Sequence, residues 1–395
     1  AASDVYKRQV PIHNDVEYAL QSEARSADTL VGNSFIDAPT WRVNDRWVYS
    51  GELDVYDFIA DSGVSTNVNT LTGTLDVQVE SINLVDVGGI QTLAYTVAGT
   101  GDYRADNIQL EGQNGDVVVE MDTTSVIRVS DMAVISQTAT IDIEFDPAFG
   151  WICWLISCDI ASITASNEYW PPLERHDFPL SVGDTWVNNY TLNTTYSGSS
   201  SYVTIPQSTS DQVETTSTVV QAGYPGVSQS GCSVSYNVTA TDVNGSLVGY
   251  GWHCDSMKND VITLNEVTLG LMARHEIDYS TLSPRPYVID VEPMYPLAPF
   301  DFTSPIWVNV SDANGAPTAN QLIEFRYDPT GEVQTITTES NGSAFTTLNY
   351  GSQGDESLVD GEHGSHGIVA RIVNTDHMGI STITLDPDIY EVDLK

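Results

Sequence analysis

The feature that most restricts this chain is a period of two in its apolar residues. Between Thr138 and Phe145, the side chains of Ile141, Ile143 and Phe145 fall on one side and those of Asp142 and Glu144 on the other, a spacing that suits a strand with one buried and one solvated face. Residues 41–49 alternate in the same way around an Asn44-Asp45 turn, and residues 74–82, 92–98 and 116–121 continue the period. Ser, Thr, Val, Asn and Gly are abundant and hydrophobic residues make up 41% of the chain, enough for packed β-structure rather than disorder. The expected class is all-β. A length of 395 residues allows two to four domains.

Two short matches suggest that one β-unit occurs twice. Val43-Asn44-Asp45-Arg46-Trp47-Val48 corresponds to Val182-Gly183-Asp184-Thr185-Trp186-Val187 at an offset of 139, and Leu93-Ala94-Tyr95-Thr96-Val97 to Val234-Ser235-Tyr236-Asn237-Val238 at an offset of 141. This period is too long for a solenoid and fits two duplicated antiparallel β-domains, at 37–170 and 171–283. Pro284, Pro286, Pro293, Pro296 and Pro299 then mark residues 284–299 as a stiff connector, which leaves 300–395 as a third module. Residues 1–36 are set aside as an artefactual N-terminus and linker, with a weak helical pattern over 15–27.

Charge excludes whole classes of partner. Against 54 Asp and Glu stand 14 Lys and Arg, a formal net charge of −40, so polyanionic nucleic acid and anionic lipid are repelled. Such a surface suits salty water, where screening weakens self-repulsion, and leaves calcium open as a ligand. No apolar run approaches the roughly 20 residues of a membrane helix, so no membrane span is expected.

Four cysteines form two local pairs, Cys153 with Cys158 and Cys232 with Cys254, although four thiols permit three connectivities. Their spacings do not suit a zinc knuckle, and two disulfides in an oxidising compartment are the better reading. Sequons at Asn189, Asn193, Asn237, Asn244, Asn309 and Asn341 are candidate glycosylation sites that a Ser/Thr/Asn-rich chain also produces by chance.

Residues able to carry chemistry are few. Glu362, His363 and His366 lie in one loop, with His377 nearby, and offer imidazole and carboxylate ligands to a metal. The glycines at 361, 364 and 367 favour a polar insertion over a built site. Asp242-X-Asn244-Gly245 and Asp312-X-Asn314-Gly315 begin like calcium loops but lack the later bidentate Glu, and read as hairpin turns. No nucleophile elbow, zincin or phosphate-loop motif is present, and His253 beside Cys254 makes no thiolate pair if that cysteine is bridged. The aromatics Trp151, Trp154, Tyr169 and Trp170 could hold sugars or a partner, or simply pack.

Three local resemblances complete the reading. Phe178-Pro179-Leu180-Ser181-Val182-Gly183-Asp184-Thr185-Trp186 resembles the opening of lipoprotein-like β-domains, which implies a curved antiparallel sheet over 171–283. The runs 308–317, 323–325 and 337–344 resemble bacterial Ig-like modules of invasin- and intimin-type adhesins, which implies a β-sandwich over 300–386 with Trp307, Ile323 and Phe325 inside; the polar Thr318-Ala319-Asn320-Gln321 and the 351–367 insertion depart from that pattern. Residues 1–9 resemble translated adapter read-through of the kind found at the ends of metagenomic gene predictions, so that leader or further domains are expected before Val10. The expectation is an extracellular or cell-surface structural or adhesive protein, not an enzyme and without a cofactor. Its partners would be other surface proteins or glycans, with self-association open. The alternatives are accessory modules of a secreted hydrolase and a ligand-binding β-barrel.

Overall fold

A computed structural model describes residues 37–55, 66–68, 70–148, 153, 158–200, 204–205, 207–223, 232, 234–268, 271–351 and 365–385. Among these residues the regular structure is strand, broken by 3-10 turns at Asp255–Met257 and Asp328–Thr330.

Twelve strands follow one another around a closed barrel. The first six are β1 (Arg46–Asp54), β2 (Thr70–Val87), β3 (Ile90–Leu110), β4 (Gln113–Arg128), β5 (Val134–Pro147) and β6 (Asp159–Leu173). The second six are β7 (Thr185–Ser200), β8 (Thr209–Gly223), β9 (Ser235–Asp242), β10 (Leu247–Cys254), β11 (Asn259–Thr268) and β12 (Leu271–Thr281). Each pairs antiparallel with the next, and β12 returns onto β1 with Arg46 opposite Thr281. The expectation of two separate β-domains is corrected by this topology. The 170/171 boundary falls inside β6, and segments 37–170 and 171–283 hydrogen-bond into one barrel, because an open six-stranded sheet would leave two unpaired edges that the other half satisfies.

The two sequence matches occupy corresponding places in the barrel. Asn44 N–H donates to Val79 O (2.8 Å) and Val79 N–H to Asp45 O (2.9 Å), while Gly183 N–H donates to Val219 O (2.9 Å) and Val219 N–H to Asp184 O (2.9 Å). Both turns need a positive φ, 71° at Asn44 and 93° at Gly183, which Asn and Gly tolerate best. Both partner strands then bulge at the same point, after Val79 in β2 and after Val219 in β8. Trp47 and Trp186 are buried, and each donates its indole N–H to a backbone carbonyl, Met257 O and Glu174 O respectively.

Alternation decides which face of each strand points inward. Ile141, Ile143 and Phe145 on β5 join Val117, Val119 and Met121 on β4 in one apolar cluster, which shares the lumen with a second cluster built on Trp47, Tyr49, Leu93, Tyr95 and Ile277. Each such side chain stabilises the fold by roughly 1.5–3 kcal/mol when fully buried. Asp102, Glu120, Asp122, Glu144 and Asp146 point outward and are exposed. Apolar inside and carboxylate-bearing outside is the reverse of a barrel that faces lipid.

The remaining strands are β13 (Tyr287–Pro293), β14 (Leu297–Ala298), β15 (Thr303–Asp312), β16 (Leu322–Tyr327), β17 (Glu332–Thr337), β18 (Ser343–Asn349), β19 (Ser365–Ile372) and β20 (Met378–Leu385). They form a three-stranded sheet, β13-β15-β18, and a five-stranded sheet, β14-β20-β19-β16-β17, around one core that includes Ile306, Val308, Phe325, Tyr327 and Ile368. Residues 284–299 are therefore not a bare connector. Within β13, an edge strand where missing donors are tolerated, proline occurs only as the last residue, Pro293, and Val291 before it is buried. Ile323 and Phe325 lie in the core as expected, but Trp307 does not. It sits on the outward face of β15, half-buried, with its ring 5.1 Å from exposed Phe345.

Strand β19 is buried on both faces. Ile368, Ala370 and Ile372 enter the core between the sheets, whereas Val369, with Met378 of β20, packs into the barrel's second cluster. Polar contacts seal this junction: Arg42 pairs with Asp376 at 2.8 Å, and the Thr92 and Ser130 hydroxyls both donate to Asp328. Burial raises the Asp328 carboxyl above its usual range, against the pull of those hydroxyls and of Arg128.

Candidate metal centre

One group of described residues brings metal-ligand side chains together: His176, His253 and Asp260, whose donor atoms all lie within 4.8 Å of one another. His253 is the last residue but one of β10 and Asp260 the second of β11, and the two face each other across the 255–258 turn, so their side chains share a face. A bulge between Gly251 and His253 re-aims the histidine, and Lys258 closes the turn at φ 59°. His176 arrives from the β6–β7 connection. That connection is held by Phe178, Leu180 and Trp186, which pack with Val219, Tyr236 and Val238. The rings of His176, Phe178 and His253 lie 5.2 to 5.6 Å apart.

Asp260 Oδ1 lies 3.2 Å from His253 Nδ1 and 3.2 Å from His176 Nε2. Only the first contact has hydrogen-bond geometry; the buried Nε2 of His176 has no hydrogen-bond partner, and neither has Nε2 of His253. Burial lowers the basicity of His253, only partly opposed by Asp260. The Asp260 carboxyl, which burial alone would raise, is held well below the usual range by the two imidazoles. At neutral pH the site presents an uncharged imidazole at His253 and an ionised carboxylate at Asp260, the forms a metal binds. A crevice between the barrel and the second sheet, lined by Ser130, Glu174, Asp177, Ser365, Gly367 and Thr382, reaches His176.

A second polar pair sits in the barrel lumen. Nε2 of His275 is 2.5 Å from the Tyr103 hydroxyl, and burial pushes the His275 pKa down to about 4.

The other sequence candidates are placed differently. Both cysteine pairs are disulfides, Cys153–Cys158 and Cys232–Cys254, with Cα–Cα distances of 5.3 and 6.0 Å. The second holds the residue next to His253. Glu362 and His363 lie outside the described residues, as do Trp151 and Trp154. His366 and His377 are at opposite ends of the β19–β20 hairpin, His366 against Tyr327 and His377 against Tyr287, so these two do not share one ion. Asp242 and Asp312 spend an oxygen each on the backbone N–H groups of their own turns, Asn244 and Ser246 in one case, Asn314 and Ala316 in the other. Asn189, Asn193, Asn244, Asn309 and Asn341 are exposed, whereas Asn237 is half-buried with its Oδ1 inside. Tyr169 is buried against Tyr190, and Trp170 is exposed.

His176 and Asp260 escape a sequence reading because the fold, not the spacing, joins them: the two are 84 positions apart. The one local signal is a histidine and an aspartate flanking a tight turn, His253 to Asp260. No protein-family model matches the chain, and a search of curated proteins finds no match.

Proposed function

We propose that the chain is an extracellular or cell-surface structural and adhesive protein that binds through its surfaces, not by turning over a substrate. The observation that carries this reading is a lumen occupied by side chains. Trp47, Tyr95, Tyr103, Phe145 and Leu93 are fully buried within it, a packing that supports a solid body over the ligand-binding alternative. The two disulfides support an oxidising compartment, and the carboxylate exterior supports a saline one.

The same reading includes the origin of the fold. The barrel is a fused duplication of a six-stranded unit, supported by the matched turns at Asn44 and Gly183 and the matched bulges after Val79 and Val219. The C-terminal pair of sheets is an Ig-like module of the adhesin kind. Its outward Trp307–Phe345 pair, with Asn309 further along β15 and Glu292 opposite Trp307 on β13, is the surface on which a glycan or surface protein would rest.

Beads coated with the chain test this against a panel of neutral and acidic polysaccharides. Saturable binding that weakens in Trp307→Ala, with no reducing ends released, is the expected result. Release of sugar would establish a hydrolase, and absence of binding across glycans and surface proteins would remove the adhesive reading.

A further inference from the structure

We infer that His176, His253 and Asp260 form a zinc site that ties the β6–β7 connection to the β10–β11 turn. The ligands are His176 Nε2, His253 Nδ1 and Asp260 Oδ1, with water or another outside group in the fourth position. This goes beyond the adhesive reading and does not depend on it.

Geometry carries the assignment. With zinc–ligand bonds near 2.0–2.1 Å, two ligands of a tetrahedral ion are about 3.3 Å apart; both His–Asp distances are 3.2 Å. A carboxylate that merely bridged two imidazoles would accept an in-line hydrogen bond from each. Here the His176 nitrogen is buried and at contact distance, but the contact does not meet hydrogen-bond geometry. A cation held between the two satisfies both.

The surroundings agree. Asp260 Oδ2 occupies space that only a glycine at 251 leaves free, since a Cβ there would come within 2.5 Å of it. The 174–184 connection and the β10–β11 turn belong to strands that are not neighbours in the barrel order, so no ladder hydrogen bonds join them, and an ion supplies a bond that the sheet cannot. Two imidazoles select a borderline ion over calcium or magnesium, which prefer all-oxygen shells.

The full chain, stripped with a chelator and dialysed, is titrated with zinc chloride in the presence of millimolar calcium and magnesium. We expect one zinc per chain, uncompeted by either hard cation, a melting temperature raised by zinc and restored by chelator, and intense visible bands of tetrahedral geometry on cobalt substitution. His176→Gln, at a position whose side chain is 13% exposed, should keep the fold by circular dichroism and weaken zinc by about 100-fold or more. Substoichiometric zinc in the wild-type chain overturns the inference. So does weak binding of many ions that is unchanged in His176→Gln, the signature of the acidic surface alone. Should the variant fail to fold, the wild-type stoichiometry and cobalt spectrum decide by themselves.

Discussion

Gly251 and Asp260 stand so close across the β10–β11 pair that a Cβ on the glycine would come within 2.5 Å of Oδ2 of the aspartate. The backbone here is extended, so space and not a positive φ requires glycine. Gly251→Ala should push the carboxylate off both histidines and cost about 1–3 kcal/mol, the usual range for overpacking. A urea midpoint equal to wild type would show that Asp260 has another place to go.

His275 should give the barrel an acid limb. Its pKa is about 4 in the fold and about 6.5 in an unfolded chain. Between those values the unfolded chain carries a proton that the folded one lacks, so stability falls as pH drops from about 6.5 towards 4, by about 3 kcal/mol over the whole window, and is untouched above it. Asp328, whose carboxyl is raised, acts in the opposite direction. The comparison is therefore wild type against His275→Gln, both in chelator, at each pH. The variant should be weaker near neutrality by about 1–2 kcal/mol through its altered bond to Tyr103, and flatter in acid. Parallel curves would reject the assignment.

Gly367 controls how the second sheet meets the barrel. A Cβ there would be driven into the Ser130 backbone, beside the Ser130–Asp328 hydrogen bond. Gly367→Ala should separate barrel and sheet unfolding into two transitions in calorimetry, with about 2–4 kcal/mol lost from the junction. A single transition at the wild-type temperature would mean that the junction contributes nothing.

The outer face of the barrel holds a row of like charges. Asp102, Glu120 and Asp142 stand directly opposite one another on β3, β4 and β5, an arrangement that destabilises adjacent strands. The melting temperature should rise with sodium chloride, since roughly 1 M salt shortens the screening length to about 3 Å. Glu120→Gln should add about 0.5 kcal/mol at low salt and nothing at high salt. A melting temperature indifferent to sodium but raised by calcium would point instead to chelation along the row.

The strands were legible because alternation is a local property. Ile141, Ile143 and Phe145 reveal their inward face within eight residues, and the Asn44 and Gly183 turns reveal themselves through residues that accept a positive φ. Barrel closure was not legible, since the pairing of Arg46 with Thr281 leaves no mark on either segment. Trp307 misled for a related reason: on β15 it has the parity of the outward positions Pro305 and Asn309, and its size suggested core. Residues 284–299 were misjudged because proline was counted without regard to where it fell; 287–292 contain none and keep a strand's period. The disulfides were readable from spacing. The His176–Asp260 contact was not, because it joins the β6–β7 connection to a strand 84 positions further along the chain.

The pairing of β1 with β12 also governs how the protein is made. A ribosome delivers Arg46 long before Thr281, so the nascent chain must hold up to eleven strands with an open edge at each end until the last one emerges. Sequential hairpins can form as they appear, but the closing ladder is the most distant contact in the barrel and the slowest to find. Those waiting edges can pair with another chain. An acidic exterior that keeps two unfinished copies apart during this interval would therefore favour a barrel closing on itself over two closing on each other.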